Sequence, residues 1–267
     1  MLRPPSSPRP PSVVCGVPLV RTKGRRGQSR HNRGFHDLFP ASRRSHMTLL
    51  QTIDIETAPQ PTATVLLMHG LGAGADDFVP MVPQLDLAGI GPVRFVFPQA
   101  PTMPVTINGG YRMPSWYDIL VTDLGRQEDA AGLRASRDAV EALIEREKQR
   151  GIPASRIVLA GFSQGCAMAL MTGLRHGERL AGIAGLSGYL PLASTTADER
   201  AAANAGVPVF LAHGTRDGVV PLARAEASRD TLVALGYAVE WHTYPMEHTV
   251  CPPEVRQLEL WLKKVLA

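Results

Sequence analysis

A serine flanked by two glycines carries the clearest chemical signal in this sequence. Gly161, Ser163 and Gly165 follow the run 156–159, which has strand character, and precede a segment with helical character. This pattern is typical of a nucleophile elbow, a tight turn that exposes a serine hydroxyl beside the first amides of a helix. Glycine suits such a turn because it has no Cβ. The motif is short, and an ordinary strand-to-helix turn is an equally good interpretation of it alone.

Two later segments contain the partners that a serine nucleophile requires. Asp217 comes after the apolar run 207–213, and His248 comes after the alternating run 238–244. The chain order Ser163, Asp217, His248 is typical of α/β-hydrolases, whereas the two large serine protease folds use other orders. We predict Ser163 as the nucleophile, His248 as its general base and Asp217 as the carboxylate that orients the imidazole.

Two backbone amides are the predicted donors of an oxyanion hole. The apolar run 63–68 ends in the sequence His-Gly-Leu-Gly at 69–72. In this fold, the loop at that position supplies one donor, and the residue after the nucleophile supplies the other. We therefore predict that the N–H groups of Leu71 and Gln164 bind the oxyanion.

Seven motifs in one order make the sequence resemble a known family. They are His69-Gly-Leu-Gly72, Pro98-Gln-Ala-Pro101, Val105-Thr-Ile-Asn-Gly-Gly110, Met113-Pro-Ser-Trp-Tyr-Asp118, Gly161-Phe-Ser-Gln-Gly165, His213-Gly-Thr-Arg-Asp-Gly-Val-Val-Pro221 and His248-Thr-Val-Cys251. From about residue 49 to its end, the chain resembles the carboxylesterase/acyl-protein thioesterase family, also called the phospholipase/carboxylesterase family, and its bacterial carboxylesterases most. The resemblance implies a single-domain serine hydrolase that acts on carboxylic esters and thioesters without metal or cofactor.

The segment 99–122 is expected to form a wall of the substrate channel. Its prolines and the Asn-Gly-Gly turn at 108–110 break helical patterns, and the turn predicts a small β-ribbon. The resemblance implies a channel built partly by residues 101–120, and we predict Leu71, Met113 and Trp116 as channel residues. A purely structural excursion is the alternative for this segment.

The family pattern is broken at two positions beside the predicted site. Cys166 stands where the family usually has a second glycine, and Glu247 stands where many relatives have a small residue. Cysteine is small and often buried, so the helix after Ser163 should still approach the sheet. We expect Glu247 to point into solvent. His69 and His213, which each precede a glycine at a strand end, are expected to bond loop backbone rather than to act in catalysis.

Strands and helices alternate along the chain from residue 47 to residue 267. The strand candidates are 51–56 (an antiparallel edge strand), 63–68, 93–97, 156–161, 183–187, 207–212 and 238–244, and the helix candidates are 125–150, 163–175, 221–235 and 253–266. This alternation favours the three-layer α/β-hydrolase fold, a mainly parallel sheet flanked by helices. The segment 188–206 is too short for a large lid domain, so the site should be open.

Composition restricts the class of protein further. The chain has 267 residues, of which 44% are hydrophobic and 19% charged, as in soluble globular proteins. No apolar stretch approaches the roughly 20 residues of a membrane span, which excludes an integral membrane segment. Three scattered cysteines favour neither a disulfide framework nor a zinc cluster. A reducing, cytoplasmic location fits this composition, and we expect neither a cofactor nor a metal.

The first 46 residues differ from the rest of the chain. They carry ten basic residues and one acidic residue, a net charge of +9, whereas residues 47–267 carry 18 basic and 23 acidic residues, a net charge of −5. Rich in Pro, Ser, Gly and Arg, this extension is expected to be disordered. It is an upstream extension of a protein that starts at Met47, an organellar transit peptide, or a basic arm for anionic partners. The mildly acidic remainder gives no support for nucleic-acid binding.

These observations predict acyl transfer to water through a Ser163 acyl-enzyme. The substrate would be a small-molecule ester or thioester, and short- to medium-chain carboxylic esters are the first expectation. An acyl-protein thioesterase or a lysophospholipase acting on longer acyl chains is the alternative, because all these reactions pass through a tetrahedral oxyanion. A catalytically silent binding protein on the same fold is the alternative from another class. The oligomeric state stays open, a homodimer included.

Overall fold

A seven-stranded sheet organises the part of the chain that the computed structural model describes, residues 49–121 and 127–267. The predicted 46-residue extension lies outside these residues. The strands are β1 (Thr52–Glu56), β2 (Ala63–Met68), β3 (Val93–Pro98), β6 (Ile157–Phe162), β7 (Gly182–Leu186), β8 (Val209–Gly214) and β9 (Val239–Tyr244). Their order is β1-β3-β2-β6-β7-β8-β9, and only the β1–β3 pair among them is antiparallel. The predicted antiparallel edge strand and mainly parallel sheet are confirmed.

The order of the strands reverses at the centre of the sheet. From β2 the chain first continues to β3 on one side, and it later returns to place β6 on the other side. In open parallel sheets, ligands bind beyond the carboxyl ends of strands at such a switch point. The Leu71 loop follows β2 and Ser163 follows β6, so both lie at this point.

Five α-helices lie along the described residues. They are α1 (Ala130–Gln149), α2 (Gln164–Gly173), α3 (Ala193–Glu199), α4 (Leu222–Ala234) and α5 (Pro252–Val265). The start of α1 is later than the predicted 125, because the Asp129 carboxylate accepts a hydrogen bond from the Gly132 amide and caps the helix. The other predicted helices begin and end within two residues of the observed ones. The short α3 occupies part of 188–206, where the sequence predicted no helix.

Apolar residues of β2 divide between two cores. Leu66 and Met68 belong to the core that includes α1, α2 and α4, whereas Val65 and Leu67 belong to the core that includes α5. Alternate side chains of a strand point to opposite faces, so a strand covered on both faces is apolar throughout. All six residues of β2 are buried. The predicted three-layer arrangement is thereby confirmed.

A two-stranded hairpin interrupts the alternation before α1. Its strands β4 (Thr102–Val105) and β5 (Tyr111–Pro114) pair antiparallel, as predicted for the ribbon around the Asn-Gly-Gly turn. Gly109 and Gly110 have φ angles of 65° and 78°, a conformation that glycine adopts at little cost. The hydrogen bond from the Gly72 amide to the Pro114 carbonyl, at 2.8 Å, joins the hairpin to the loop after β2.

A fully buried carboxylate fixes α1 against the sheet. Glu147 accepts hydrogen bonds from Thr64 on β2 at 3.0 Å and from Arg94 on β3 at 2.9 Å. It also accepts from Arg146 at 3.0 Å and from Arg150 at 3.2 Å. Removing one partner of a buried ion pair is costly because the remaining charges lose their compensation. None of the helices in the described range is long and apolar enough to cross a membrane.

We predict that Glu147→Ala lowers the free energy of unfolding by about 3–5 kcal/mol, because it leaves Arg94 and Thr64 without their buried acceptor. Chemical denaturation measures the change. The matched control is Glu145→Ala on the same helix, whose exposed side chain pairs with Lys148 and should contribute far less to stability because water screens the pair. Equal losses in the two variants would contradict the role of the buried cluster.

Candidate active site

Three side chains from distant parts of the chain form a continuous hydrogen-bond relay. His248 Nε2 lies 2.9 Å from Ser163 Oγ, and His248 Nδ1 lies 2.7 Å from Asp217 Oδ2. The carboxylate can only accept, so Nδ1 carries the proton and Nε2 presents a lone pair to the serine hydroxyl. The structure thus brings the three predicted catalytic residues together in the order that proton transfer requires.

The turn at Ser163 holds its backbone in a strained conformation. Ser163 has φ of 56° and ψ of −117°, a region that residues with a Cβ rarely adopt. It lies between β6 and α2, and its amide donates to the Leu186 carbonyl at 2.9 Å. Strain of this kind costs about 1–3 kcal/mol and persists because the surrounding structure imposes it.

Two glycines allow the strand and the helix to meet at this turn. A Cβ on Gly165 would collide with the Met68 carbonyl oxygen, and a Cβ on Gly161 would collide with the Gly165 carbonyl oxygen. Helix α2 is buried along its whole length, including Cys166, whose sulfur packs where a Cβ on Gly185 would be. Cysteine is therefore accommodated by a glycine on β7, and burial raises the pKa of the Cys166 thiol to about 12.

The loop after β8 holds Asp217 in a fully buried position. Asp217 Oδ1 accepts hydrogen bonds from the amides of Val219 at 2.8 Å and Val220 at 2.9 Å, whereas Oδ2 lies 2.7 Å from His248 Nδ1 and 3.4 Å from His213 Nε2. The Nε2 atom of buried His213 lies 2.8 Å from the Val220 carbonyl, and burial lowers the pKa of this imidazole. Neutral His213 donates to that carbonyl and braces the Asp217 loop.

The loop after β9 presents His248 to the serine. It is held against the Asp217 loop by the Thr215 amide, which donates to the Tyr244 carbonyl at 2.8 Å, and by the Arg216 amide, which donates to the Met246 carbonyl at 3.1 Å. The Phe162 ring packs against the imidazole with 4.8 Å between ring centroids. Glu247 is exposed, as expected.

The two predicted oxyanion donors, Leu71 and Gln164, lie beside the serine in one cavity. Leu71, Ser163 and Gln164 line one cavity, and neither amide has a hydrogen-bond acceptor within the described part of the chain. The Gln164 side chain is bound to the segment after the hairpin, where its Oε1 accepts from the Trp116 amide at 3.0 Å and its Nε2 donates to the Tyr117 carbonyl at 2.9 Å. Gln164 therefore lines the cavity and also anchors the 115–117 segment.

His69 supports the loop that carries Leu71. Its Nδ1 lies 2.7 Å from the Gly70 carbonyl, and its Nε2 accepts from the Ala100 amide at 3.1 Å. The proton therefore sits on Nδ1, and burial lowers the pKa of the imidazole. Both ring nitrogens are engaged with backbone, as expected from the sequence, so His69 orders the loop.

The cavity beside Ser163 has a volume of about 700 Å³ and a mainly apolar lining. Ligand cavities commonly measure about 300–1,000 Å³. The lining comprises Leu71, Ile107, Tyr117, Ile119, Ser163, Gln164, Tyr189, Gly218, Val219, Val220, Pro221, Ala223 and Arg224. Val219 is 62% exposed and Ile107 is 40% exposed, so the cavity opens to solvent. Its size and lining suit a hydrocarbon chain.

Two of the predicted channel residues are placed elsewhere. Leu71 lines the cavity, but Trp116 and Met113 are not among its described lining residues. Trp116 is buried behind the wall, where its Nε1 donates to the His69 carbonyl at 2.8 Å. The Met113 sulfur packs near Gly72 and Asn108. The bend that follows β5 places Tyr117 rather than Trp116 at the cavity, which the sequence pattern alone did not decide.

The residues on the far wall of the cavity were not predicted from the sequence. Tyr189 follows β7, and Arg224 lies in the first turn of α4. The guanidinium of Arg224 lies 3.9 Å from the centroid of the Tyr189 ring, and Tyr189 shares a 2.7 Å hydrogen bond with Tyr117. One signal in the sequence could have indicated that Arg224 lies near the site. Arg224 follows Asp217 by seven residues, and the helix after Asp217 must begin beside the site.

The chain matches the protein family described as Phospholipase/Carboxylesterase over residues 52–266. It belongs to this family. Acyl-protein thioesterase 1 of Mycosarcoma maydis is 42% identical over 239 residues, covering 82% of this chain and 99% of that protein. Acyl-protein thioesterase 1 of Gibberella zeae is 41% identical over 218 residues, covering 78% of this chain and 93% of that protein.

A solved structure from the same group has a similar fold. Zea mays acyl-protein thioesterase 2 superposes with a TM-score of 0.72 at 28% identity, covering 82% of this chain and the whole of that one. Family membership and this likeness confirm the α/β-hydrolase fold and make the chain a carboxylic ester hydrolase. No group of three or more metal-binding side chains occurs among the residues described in the structure.

A buried carboxyl group lies at the base of the His248 loop. Glu254, in the first turn of α5, is fully buried, and its Oε2 accepts from the Cys251 amide at 3.4 Å. Its Oε1 has no partner among the described residues, and burial raises the pKa of the carboxyl from 4.5 to about 8. The folded protein therefore retains a proton that the unfolded chain releases, and stability falls as the pH rises from about 4.5 to about 8.

We predict that Glu254→Gln stabilises the protein at pH 8 relative to the parent, by an amount on the order of a few kcal/mol, and much less at pH 5. The substitution removes the ionisation while keeping an oxygen for the Cys251 amide. Thermal unfolding from pH 5 to pH 8 measures the difference. The control Glu247→Gln, at an exposed position in the same loop, should leave this pH dependence unchanged. If Glu254→Gln changed the unfolding temperature by the same amount at every pH, the ionisation of Glu254 would not be the cause of the pH dependence.

Proposed function

We propose that this chain hydrolyses short- to medium-chain carboxylic esters through an acyl-enzyme on Ser163. The observation that carries the proposal is the hydrogen-bond relay from Asp217 through His248 to Ser163, which lies on a strained turn. Ser163 also lines an apolar cavity. A serine hydroxyl is a weak nucleophile unless a base accepts its proton, and this geometry supplies that base. The cavity supplies a place for the acyl chain.

The first half of the reaction forms the acyl-enzyme. His248 Nε2 accepts the proton of Ser163 Oγ as that oxygen attacks the ester carbonyl carbon. The amides of Leu71 and Gln164 bind the developing oxyanion, and Gln164 contributes as the first residue of α2, where the helix dipole favours negative charge. The protonated imidazole then donates to the leaving alkoxide, and the alcohol departs.

The second half repeats these steps with water. His248 Nε2 accepts a proton from water, which attacks the acyl carbon, and the second oxyanion forms between the same two amides. The intermediate collapses when His248 returns the proton to Ser163 Oγ. Throughout, the buried Asp217 carboxylate holds the imidazole tautomer and stabilises its charged form.

We expect Ser163→Ala to abolish hydrolysis of p-nitrophenyl butyrate and covalent labelling by a fluorophosphonate probe. Asp217→Asn should lower kcat about 10⁴-fold, because an amide favours the wrong imidazole tautomer. Both variants keep the size of the side chain nearly unchanged, and circular dichroism checks their folding. Retained labelling in folded Ser163→Ala protein would disprove the acyl-enzyme.

A second candidate function is the hydrolysis of thioesters between acyl chains and proteins. It is favoured by the relatives from Mycosarcoma maydis and Gibberella zeae, which are 42% and 41% identical and carry the name acyl-protein thioesterase 1. Thioester cleavage passes through the same tetrahedral oxyanion and needs no additional residue. The solvent-open mouth beside Val219 and Ile107 leaves space for a large leaving group.

A graded substrate series separates the two functions. For p-nitrophenyl esters from acetate to palmitate, we expect kcat/KM to rise about fourfold per methylene through the medium chains, because the apolar cavity buries each added group. It should then fall for the longest chains. A palmitoyl-cysteine peptide, compared with an octanoyl-cysteine peptide of the same sequence, tests the thioesterase function directly. A higher kcat/KM for the palmitoyl peptide than for any medium-chain substrate would favour the second candidate over the first.

A further inference from the structure

The cavity beside Ser163 is adjacent to a second one, and a single side chain lines both. Arg224 belongs to the lining of the 700 Å³ cavity and to that of a neighbouring cavity of about 310 Å³. The second cavity is also lined by Glu128, Leu190, Ala193 and Ala227, and by short hydroxyl side chains. Arg224 therefore stands on the boundary between the two spaces.

Contacts with two other parts of the chain hold Arg224 at this boundary. Its guanidinium lies over the Tyr189 ring at 3.9 Å, and one of its nitrogens lies 3.8 Å from the Glu128 carboxylate. Glu128 is itself fixed, because its two oxygens lie 3.2 and 3.1 Å from the Leu192 amide nitrogen. The Tyr189 hydroxyl is paired with Tyr117 at 2.7 Å. The boundary is therefore an ordered stack of side chains rather than one exposed arginine.

We infer that Arg224 is a specificity-determining residue that closes the acyl channel at this end and limits the length of the acyl chain. The inference rests on the proposed function, since it assigns the cavity beside Ser163 to the acyl group. An acyl chain that enters the second cavity must move the guanidinium from the Tyr189 ring and from Glu128. An acyl chain that stops before Arg224 leaves both contacts in place.

The chemistry of this boundary opposes the passage of hydrocarbon. Methylene groups cannot replace the electrostatic contacts that the guanidinium makes with a carboxylate and an aromatic face. Glu128 is partly withdrawn from water, and burial raises the pKa of its carboxyl, so it depends on nearby positive charge and on the Leu192 amide. Separating Arg224 from Glu128 would leave a poorly solvated anion, a cost that favours shorter chains.

The test compares chain-length profiles rather than single activities. The quantity to be measured is kcat/KM for p-nitrophenyl butyrate, octanoate and laurate, each below its micellar concentration. The parent protein is compared with Arg224→Ala. The smaller side chain should join the two cavities and raise the laurate-to-butyrate ratio at least tenfold. Burial of two further methylenes already accounts for a change of that size, at about fourfold each.

Two variants separate the boundary effect from a general change in α4. Arg224→Lys keeps a cation near Glu128 and should hold the ratio within about threefold of the parent. Arg229→Ala removes another arginine of α4, whose guanidinium lies 5.1 Å from the Trp241 ring and which lines neither described cavity. It should keep the parent ratio. If Arg224→Ala does not fold, Arg224→Met keeps an apolar stem beside Tyr189 and should shift the ratio in the same direction.

The outcomes distinguish this inference from the proposed function. An unchanged laurate-to-butyrate ratio in folded Arg224→Ala or Arg224→Met protein would overturn the role of Arg224, even though Ser163-dependent hydrolysis of butyrate persists. An equal shift in Arg229→Ala would overturn it as well. If the parent protein shows no Ser163-dependent ester hydrolysis, the proposed function fails and this inference fails with it.

Discussion

The close approach of α2 to the centre of the sheet is the constraint on which the rest of the site depends. Gly161 and Gly165 allow the helix to start against the ends of β2 and β6, where a Cβ at either position would meet backbone oxygen. At this contact Ser163 has a strained backbone with φ of 56°, and Ser163 and Gln164 line the same cavity. Nucleophile and predicted oxyanion donor are thus consequences of one packing contact.

The other parts of the site are arranged around this turn by buried polar groups with fixed partners. His213 braces the Asp217 loop through Val220, and His69 braces the Leu71 loop through Gly70 and Ala100. The Gln164 side chain ties the segment after the hairpin to the base of α2. Because unsatisfied polar groups are costly to bury, these bonds leave each loop few alternative positions. The geometry of the candidate site is therefore fixed by side chains outside the Ser163–His248–Asp217 relay.

Sequence patterns predicted the elements well and the cavity walls poorly. Apolar runs located the five inner strands of the central sheet to within two residues, since a buried parallel strand is apolar throughout. The two edge strands, which are not apolar throughout, were also located to within two residues. The start of α1 was wrong by five residues, because Asp129 rather than the hydrophobic period sets it. Trp116 was assigned to the channel on its size and neighbourhood, but the Gln164 side chain and the His69 carbonyl hold it inside the core. Arg224 and Tyr189 carried no motif and were not predicted.

The sequence by itself determined the order of the strands and helices, the chemical types of Ser163, Asp217 and His248, and the glycines that a tight turn requires. These properties depend on residue type and local spacing, which the chain carries explicitly. Only the tertiary structure decided which side chains face the cavity, how far the cavity extends, and that Arg224 stands at its end beside Tyr189 and Glu128. Those properties arise where α4, the end of β7 and the segment before α1 meet, and contacts between segments so distant along the chain leave no local pattern.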